Sequence, residues 1–306
     1  MPVGIVINPI AGRGGSRPGE VDRRVAFARS CASINGVEPT VLVTERRGHA
    51  RDLAQHLVDT GCDTVIAMGG DGTVNEVAQA LVGRPVALGI LPCGSGDGLA
   101  RGLKLPIDAE SALHVALGPA TTAIDVGYAG DRIFLNIAGI GFDAEVGKLF
   151  ATRSKRGGLG YVTKGLQLVW TYRAPAYVVS WSGPAPALEV AQVRRGRRFL
   201  IAFANAPEYG NGAVLAPDAD PYDGLLDLLL AEGGHPFQQI WRARRLFVRH
   251  RQPAHGLERA QIRRATITGD VMVCHLDGEV FETSGTLEIS VRPKALLVRT
   301  PFRRGV

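Results

Sequence analysis

The chain has none of the cysteine, histidine or hydrophobic patterns that mark a disulfide scaffold, a zinc site or a membrane span. Its four cysteines, Cys31, Cys62, Cys93 and Cys274, stand far apart with no C-x-x-C pair. Free thiols in a reducing compartment are the expected state. The seven histidines are equally scattered, with no H-E-x-x-H spacing, which argues against zinc and leaves a hard, oxygen-bound cation as the expected metal. No run approaches the roughly eighteen apolar residues of a spanning helix. No charged leader, apolar segment and cleavage site precede the first strand, so the expected location is the cytoplasm. Lysine is scarce as well: Lys104, Lys148, Lys155, Lys164 and Lys294 are the only ones, and the net charge of +6 rests on arginine. Such a balance favours nucleotides or anionic membrane surfaces, although a compositional Arg and Ala bias explains it equally well. Aromatics make up only 6%, and without a stacking pattern or recognised module nucleic acid is not an expected partner.

What the chain does have is length for two domains, 306 residues of which 45% are apolar, and a conspicuous strand–turn–helix unit. In Val65 to Val82, VIAMGGDGTVNEVAQALV, a buried strand leads through a glycine turn into a helix with Val74, Val77, Ala78, Leu81 and Val82 on one face. Gly69, Gly70 and Gly72 let the backbone approach a ligand and adopt positive φ. The turn delivers its amides at a helix N-terminus, where anions are favoured. Asp71 among those amides would repel a bare phosphate, so a Mg²⁺ ion or its waters are expected between them.

Other turns share this character. Val3 to Ile7 runs into Asn8-Pro9 and Ala11-Gly12-Arg13-Gly14-Gly15, the form of a first βα turn facing the ligand edge of a doubly wound sheet. The strand Thr40 to Val43 ends at Thr44, and Gly48-His49-Ala50 opens an amphipathic helix. Pro85 to Leu91 suits a buried parallel strand and empties into a second glycine turn, Cys93-Gly94-Ser95-Gly96-Asp97-Gly98. Two such amide nests side by side can hold a polyphosphate. Helix Asp108 to Leu117 closes this half; from about Thr121 strand follows strand, with Ala123 to Tyr128 joined to Arg132 to Ala138, and this change of rhythm marks a domain boundary.

The string GGDGTVNEV, the N-P-x-x-G opening, the T-x-x-x-G-H-A segment and the second glycine loop together resemble the diacylglycerol kinase and sphingosine kinase-like lipid kinases. Further along, Asn136 to Val146, Ala216 to Asp227 and the Asp277-Gly278-Glu279 turn resemble later motifs of that family, in its order. The second loop departs from the pattern, with Asp97 where most members carry Asn and Gly98 where many carry Asp.

The resemblance implies an α/β fold: an N-terminal doubly wound, mostly parallel domain over residues 1–122 and a second, mainly antiparallel β domain over 123–294, with a last strand near 295–300 returning to the first. It implies ATP held by Asn8, Thr44, Gly69, Gly70, Asp71, Gly72, Thr73, Val74, Asn75, Gly94 and Ser95, with Mg²⁺ near Asp71. Glu279 is implied as the base that takes the proton of a lipid hydroxyl, with Asp71 as the second catalytic group. Asp220, Asp223 and the Leu225 carbonyl match positions of a structural Mg²⁺ ion. Glu76 is expected to support the loop by a hydrogen bond, and Asp143 and Glu145 to open a helix.

The expected activity is transfer of a phosphoryl group from ATP to a diacylglycerol-like or sphingoid lipid, with peripheral contact at the inner membrane surface; a homodimer stays open. A kinase for a soluble substrate such as NAD is one alternative, and a non-catalytic nucleotide or lipid binder, suggested by Asp97 and Gly98, is another. Two basic or amphipathic stretches, Arg153 to Tyr172 and Pro236 to His250, are candidates for membrane contact, with packing on the domain as the commoner use of such helices.

Overall fold

The structure, a computed structural model, describes residues 2–12, 19–34, 36, 38–151, 168–183, 191–210, 213–239 and 256–301. The chain forms two compact units: Met1–Val126 with Glu208–Gly212 and Pro293–Val306, and Gly127–Pro207 with Ala213–Arg292.

The first unit alternates β1 (Val3–Ile7), α1 (Glu20–Ile34), β2 (Thr40–Val43), α2 (His49–Asp59), β3 (Thr64–Gly69), α3 (Asp71–Leu81), β4 (Ala87–Pro92), α4 (Gly98–Gly102) and α5 (Ala109–Leu117). Every residue of β1, β3 and β4 is buried, because a parallel strand covered by helices on both faces needs a continuous apolar run. The strands pair in parallel in the order β2-β1-β3-β4. One face packs Ile5, Ile7, Ile66 and Met68 against Ala28 of α1 and Leu113 of α5. On the other, Gly4 lies against Leu57 of α2, where a Cβ would come within 2.5 Å of the leucine Cδ1. The chain moves from β1 to β2 on one side and comes back to β3 on the other. Ligands of open α/β sheets bind outside the carboxyl ends at such a reversal, here the ends of β1 and β3.

Strands dominate the rest: β5 (Thr121–Ala129), β6 (Arg132–Phe134), β7 (Ile137–Gly141), then α6 (Phe142–Ala151), β8 (Ala176–Ser182), β9 (Gln192–Ala204), β10 (Glu208–Gly210), β11 (Ala213–Val214), β12 (Leu226–Glu232), β13 (Leu257–Ile262), β14 (Arg264–Leu276) and β15 (Glu279–Arg299). In the second unit β13, β12, β9, β7, β14 and β15 are antiparallel neighbours in that order. β8 pairs with the first half of β9 and of β14, whereas β7 pairs with their second halves. The core holds Phe134, Tyr177, Trp181, Phe203, Ile267 and Met272. The architecture is a doubly wound, mostly parallel α/β unit and a mainly antiparallel β unit, as the alternation of elements predicts.

Details differ from expectation. The division between units falls at Val126 and at Arg292, and β10 counts with the first unit. The final strand is the end of the 21-residue β15, whose Leu297 and Val298 pair in parallel with Ala87 and Leu88 of β4. The single strand expected over Arg132 to Ala138 is broken into β6 and β7. The cause is Asp277, whose carboxylate accepts the amides of Leu135, Asn136 and Ile137 at 2.8, 2.9 and 3.1 Å. Asp277 and Gly278 both have positive φ, 49° and 89°, and Leu276 pairs directly with Glu279. This is the two-residue Asp-Gly hairpin turn whose twist matches that of its strands. Of the two stretches proposed for membrane contact, only residues 168–172 of the first and 236–239 of the second are described; Arg153 to Gly158, Val162 and Leu166, like Trp241, Arg242, Arg245, Phe247 and Arg249, lie outside the described residues.

Three charge-assisted bonds to backbone amides make Asp277 a strong tether. Asp277→Ala removes all three acceptors and places an alanine in the left-handed region, so urea unfolding is expected to show a loss of about 3 kcal/mol or more. Asp277→Asn, which tolerates that φ and keeps one acceptor, loses less.

Candidate functional site

At the switch point the loops after β1, β3 and β4 are joined by specific bonds. Asn8, just past β1, donates from Nδ2 to Thr73 Oγ1 of α3 at 2.9 Å, and its Oδ1 accepts the Ile10 amide at 3.1 Å. Arg24 of α1, 8% exposed, donates to the carbonyls of Asn8 and Ala11 at 2.7 and 2.8 Å. Its Nε donates to Glu20 Oε1 at 3.1 Å. The first loop is thus fixed on both sides, to α3 through the Asn8 side chain and to α1 through its carbonyls.

The glycines have a different reason from the one expected. None of Gly69, Gly70 and Gly72 has positive φ; what the fold requires of Gly69 and Gly70 is room. A Cβ on Gly69 would lie 2.5 Å from the Thr73 side chain, one on Gly70 would meet Gly94 Cα at 3.2 Å, and one on Gly94 would meet Gly70 Cα at 2.8 Å. Gly12, at φ 72°, passes so close to the Cys93 carbonyl oxygen that a Cβ would lie 2.1 Å from it. Three loops meet at backbone distance, as two adjacent amide nests demand. The close approach is of loop to loop.

Two acids of α3 then reach its neighbours. Asp71 accepts the Gly98 and Leu99 amides at the start of α4, at 3.1 and 3.2 Å. Glu76 accepts the Gly48 and Ala50 amides at the start of α2, at 2.9 and 3.1 Å. A helix leaves its first amides without partners inside the helix, and here the carboxylates of α3 satisfy those of α2 and α4. The N-terminus of α3 itself is different. Gly70 supplies no side-chain cap, and among the described residues no acceptor meets the amides of Asp71, Gly72 or Thr73. The dipole and the open amides point to an anion.

The remaining first-unit candidates take distinct places. Thr44 follows β2, is 8% exposed, and donates its amide to the Ile7 carbonyl at 2.9 Å. Asn75 is buried and its Oδ1 accepts Gln79 Nε2 at 2.9 Å. Val74 is turned into the core, and its amide is given to the Gly70 carbonyl at 3.1 Å, so neither group faces outward. Ser95 is exposed in the second glycine loop. Asp97, at φ 47°, accepts the Gly94 amide through Oδ1 at 2.9 Å. Burial raises its pKa first of all, the Gly94 amide opposes this, and the charge of Asp71 raises it further.

In the second unit Glu279 is exposed at the first position of β15. Asp223 Oδ1 accepts the Leu225 amide at 2.8 Å and the Asp223 amide is donated to the Asp220 carbonyl at 3.3 Å, a tight acidic turn. Beside it burial, with the charges of Asp223 and Asp218, lifts Asp227 to about 6. Among the described residues no three His, Cys, Asp or Glu side chains form a metal cluster, so any cation there would rely on backbone oxygen as well. One constellation was not read from the sequence: His275 Nε2 and Asp143 Oδ2 lie 2.9 Å apart. Gly139 makes room for them, since its Cβ would lie 2.0 Å from Asp143 Oδ2 and 2.3 Å from His275 Nε2. Asp143 therefore does more than open α6. No spacing along the chain signals the pair, since 132 residues separate its members.

The chain matches the family described as diacylglycerol kinase catalytic domain over residues 2–129 and that described as YegS C-terminal NAD kinase beta sandwich-like domain over residues 136–300. A probable lipid kinase YegS-like of Chromohalobacter salexigens is 38% identical over 201 residues, 62% of this chain and 60% of that protein. A probable lipid kinase YegS-like of Yersinia pestis is 32% identical over 207 residues, 64% of this chain and 66% of its own length. The matched region is thus under two thirds of either relative. The solved structure of a diacylglycerol kinase from Bacillus anthracis str. Sterne shares the fold, with a TM-score of 0.73 over 98% of this chain and 97% of that one, at 18% identity.

The raised pKa of Asp97 has a measurable sign. A carboxyl whose pKa rises on folding favours the folded state in acid, and that contribution is lost as pH climbs through the raised value. Asp97→Asn keeps the acceptor for Gly94 without the charge. Its melting temperature is expected to exceed that of the wild type at neutral pH, and the difference to close as pH falls below about 4.

Proposed function

Because the chain belongs to the diacylglycerol kinase-like lipid kinase family, we propose that it transfers the γ-phosphoryl group of ATP to the hydroxyl of a diacylglycerol-like or sphingoid lipid. The observation that carries this reading is the open N-terminus of α3, beside two glycine loops held at backbone distance, while α4 is already capped by Asp71 and α2 by Glu76. Phosphates of ATP accept the amides of Gly72 and Thr73, and Gly94 and Ser95 of the second loop hold the rest of the polyphosphate. Asn8 and Thr44 border the same switch point. Asn8 also fixes the hydroxyl of Thr73.

A lipid hydroxyl is a poor nucleophile, and Glu279 accepts its proton as the bond to phosphorus forms. Asp277 sets the turn from which Glu279 projects, through its hold on residues 135–137. Asp71 suits a magnesium ion, since each carboxylate oxygen accepts one amide and retains a lone pair. A bound Mg²⁺ ion would neutralise charge on the phosphate oxygens. Asp220, Asp223 and the Leu225 carbonyl would hold a second, structural ion, and the oxygen-only donors fit a hard cation, beside Asp227, which burial and the neighbouring acids lift to about 6. No helix among the described residues is long and apolar enough to cross a membrane, and the lipid acceptor is met by peripheral contact at the inner surface.

Labelled ATP with extracted lipids tests the reaction. Transfer is expected to a lipid, and Glu279→Gln to lower it by about 100-fold or more, with the variant still folded as judged by its thermal unfolding. ATP binding without turnover would instead make the protein a binder, and transfer to NAD alone a soluble-substrate kinase. The structural cation has its own readout: added Mg²⁺ is expected to raise the melting temperature of the wild type, and Asp220→Asn with Asp223→Asn to abolish that rise.

A further inference from the structure

In the second unit two helical turns, residues 168–171 and 236–239, turn aromatic rings into solvent. Trp170 is 51% exposed and Phe237 64% exposed, and their rings meet edge to face at 5.0 Å. His235 stacks on Phe237 at 5.4 Å. Single exposed apolar residues are ordinary, but two large rings from separate segments make a contiguous patch that calls for a partner.

The flanking residues Val169, Tyr172, Arg173, Arg197 and Gln239 line a cavity of about 280 Å³. Arg173 and Arg197 are exposed there, and Arg197 is held to the Ala174 carbonyl at 3.2 Å. Neighbouring Glu232 stands 3.9 Å from Arg198, so acid on this side is already matched by a third arginine. Below, Phe142 and Phe199 stack at 4.4 Å with Tyr172 edge-on to both at 5.5 and 5.7 Å. The rings thus stand on a packed base.

We propose that Trp170 and Phe237, with Arg173 and Arg197, form the surface by which this protein docks on an anionic lipid bilayer. Rings with an apolar body settle at the headgroup level of a membrane, and guanidinium groups beside them are drawn to anionic lipid. A protein partner fits less well, because a stable interface covers about 800 Å² on each side. The other exposed large hydrophobics among the described residues, Ile10, Ile107, Val193 and Val271, come from other elements. The inference rests on the lipid-acceptor reading for the identity of the partner, and its test needs no turnover.

The full chain is sedimented with vesicles of phosphatidylcholine and with vesicles of equal parts phosphatidylcholine and phosphatidylglycerol. It pellets with the anionic vesicles, does so far less with the neutral ones, and is released by salt. Trp170→Ala with Phe237→Ala weakens binding by about ten-fold or more. Arg173→Gln with Arg197→Gln weakens it by about five-fold per arginine and removes the preference for anionic lipid. Both pairs keep the wild-type melting temperature. Equal binding to the two kinds of vesicle, wild-type binding by both double variants, or a dimer that the aromatic pair breaks while vesicle binding persists would each overturn the proposal. Vesicle binding without phosphoryl transfer leaves the docking surface standing and defeats the kinase reading; transfer to detergent-dispersed lipid without vesicle binding does the reverse.

Discussion

Helix N-termini must find acceptors, and in the first unit one helix supplies them for two others. Asp71 and Glu76, five positions apart on α3, take the leading amides of α4 and α2. Charge-assisted bonds of this kind are the strong ones in a fold, and they tie the loops after β2 and β4 to the helix that follows β3. Gly70 and Gly94 then close to backbone distance, and Asn8 pins the loop after β1 to Thr73. With its own acids turned outward to its neighbours, α3 keeps its leading amides open.

The same economy appears in the second unit. Asp277 breaks one strand into two by taking three consecutive amides, while its left-handed backbone makes the hairpin that starts β15. Two residues upstream, near the end of β14, His275 meets Asp143, with Gly139 opposite and too small to interfere. The Asp-Gly-Glu segment is therefore fixed from β7 and from α6 as well as by its own turn, and Glu279 leaves a backbone with little freedom.

Acids also appear where they are electrostatically costly. Asp97 carries a charge that an asparagine in its place would not, and both burial and Asp71 oppose its ionisation. Asp227 is lifted by burial and by Asp223 and Asp218, with Arg259 as the opposing charge. Carboxyls strained in this way are released by a proton, which gives both loops a reason to respond to pH.

The parallel strands, the glycine turns and the order of the motifs were legible in the sequence, because burial on both faces writes a continuous apolar run, as in Val3 to Ile7 and Val65 to Met68, and a turn writes glycine. The change from alternating helices to successive strands was legible for the same local reason. What the sequence alone determined was thus the order of elements and where the glycine turns fall. Only the tertiary structure decided why Gly70 is glycine, that Asp71 serves a helix 27 residues on, that Leu135 is held from 142 residues away, and that His275 and Asp143 meet across 132 residues. A hydrogen bond from side chain to distant backbone leaves no period in the chain, since its partner is chosen by where strands and helices pack and not by spacing along the sequence.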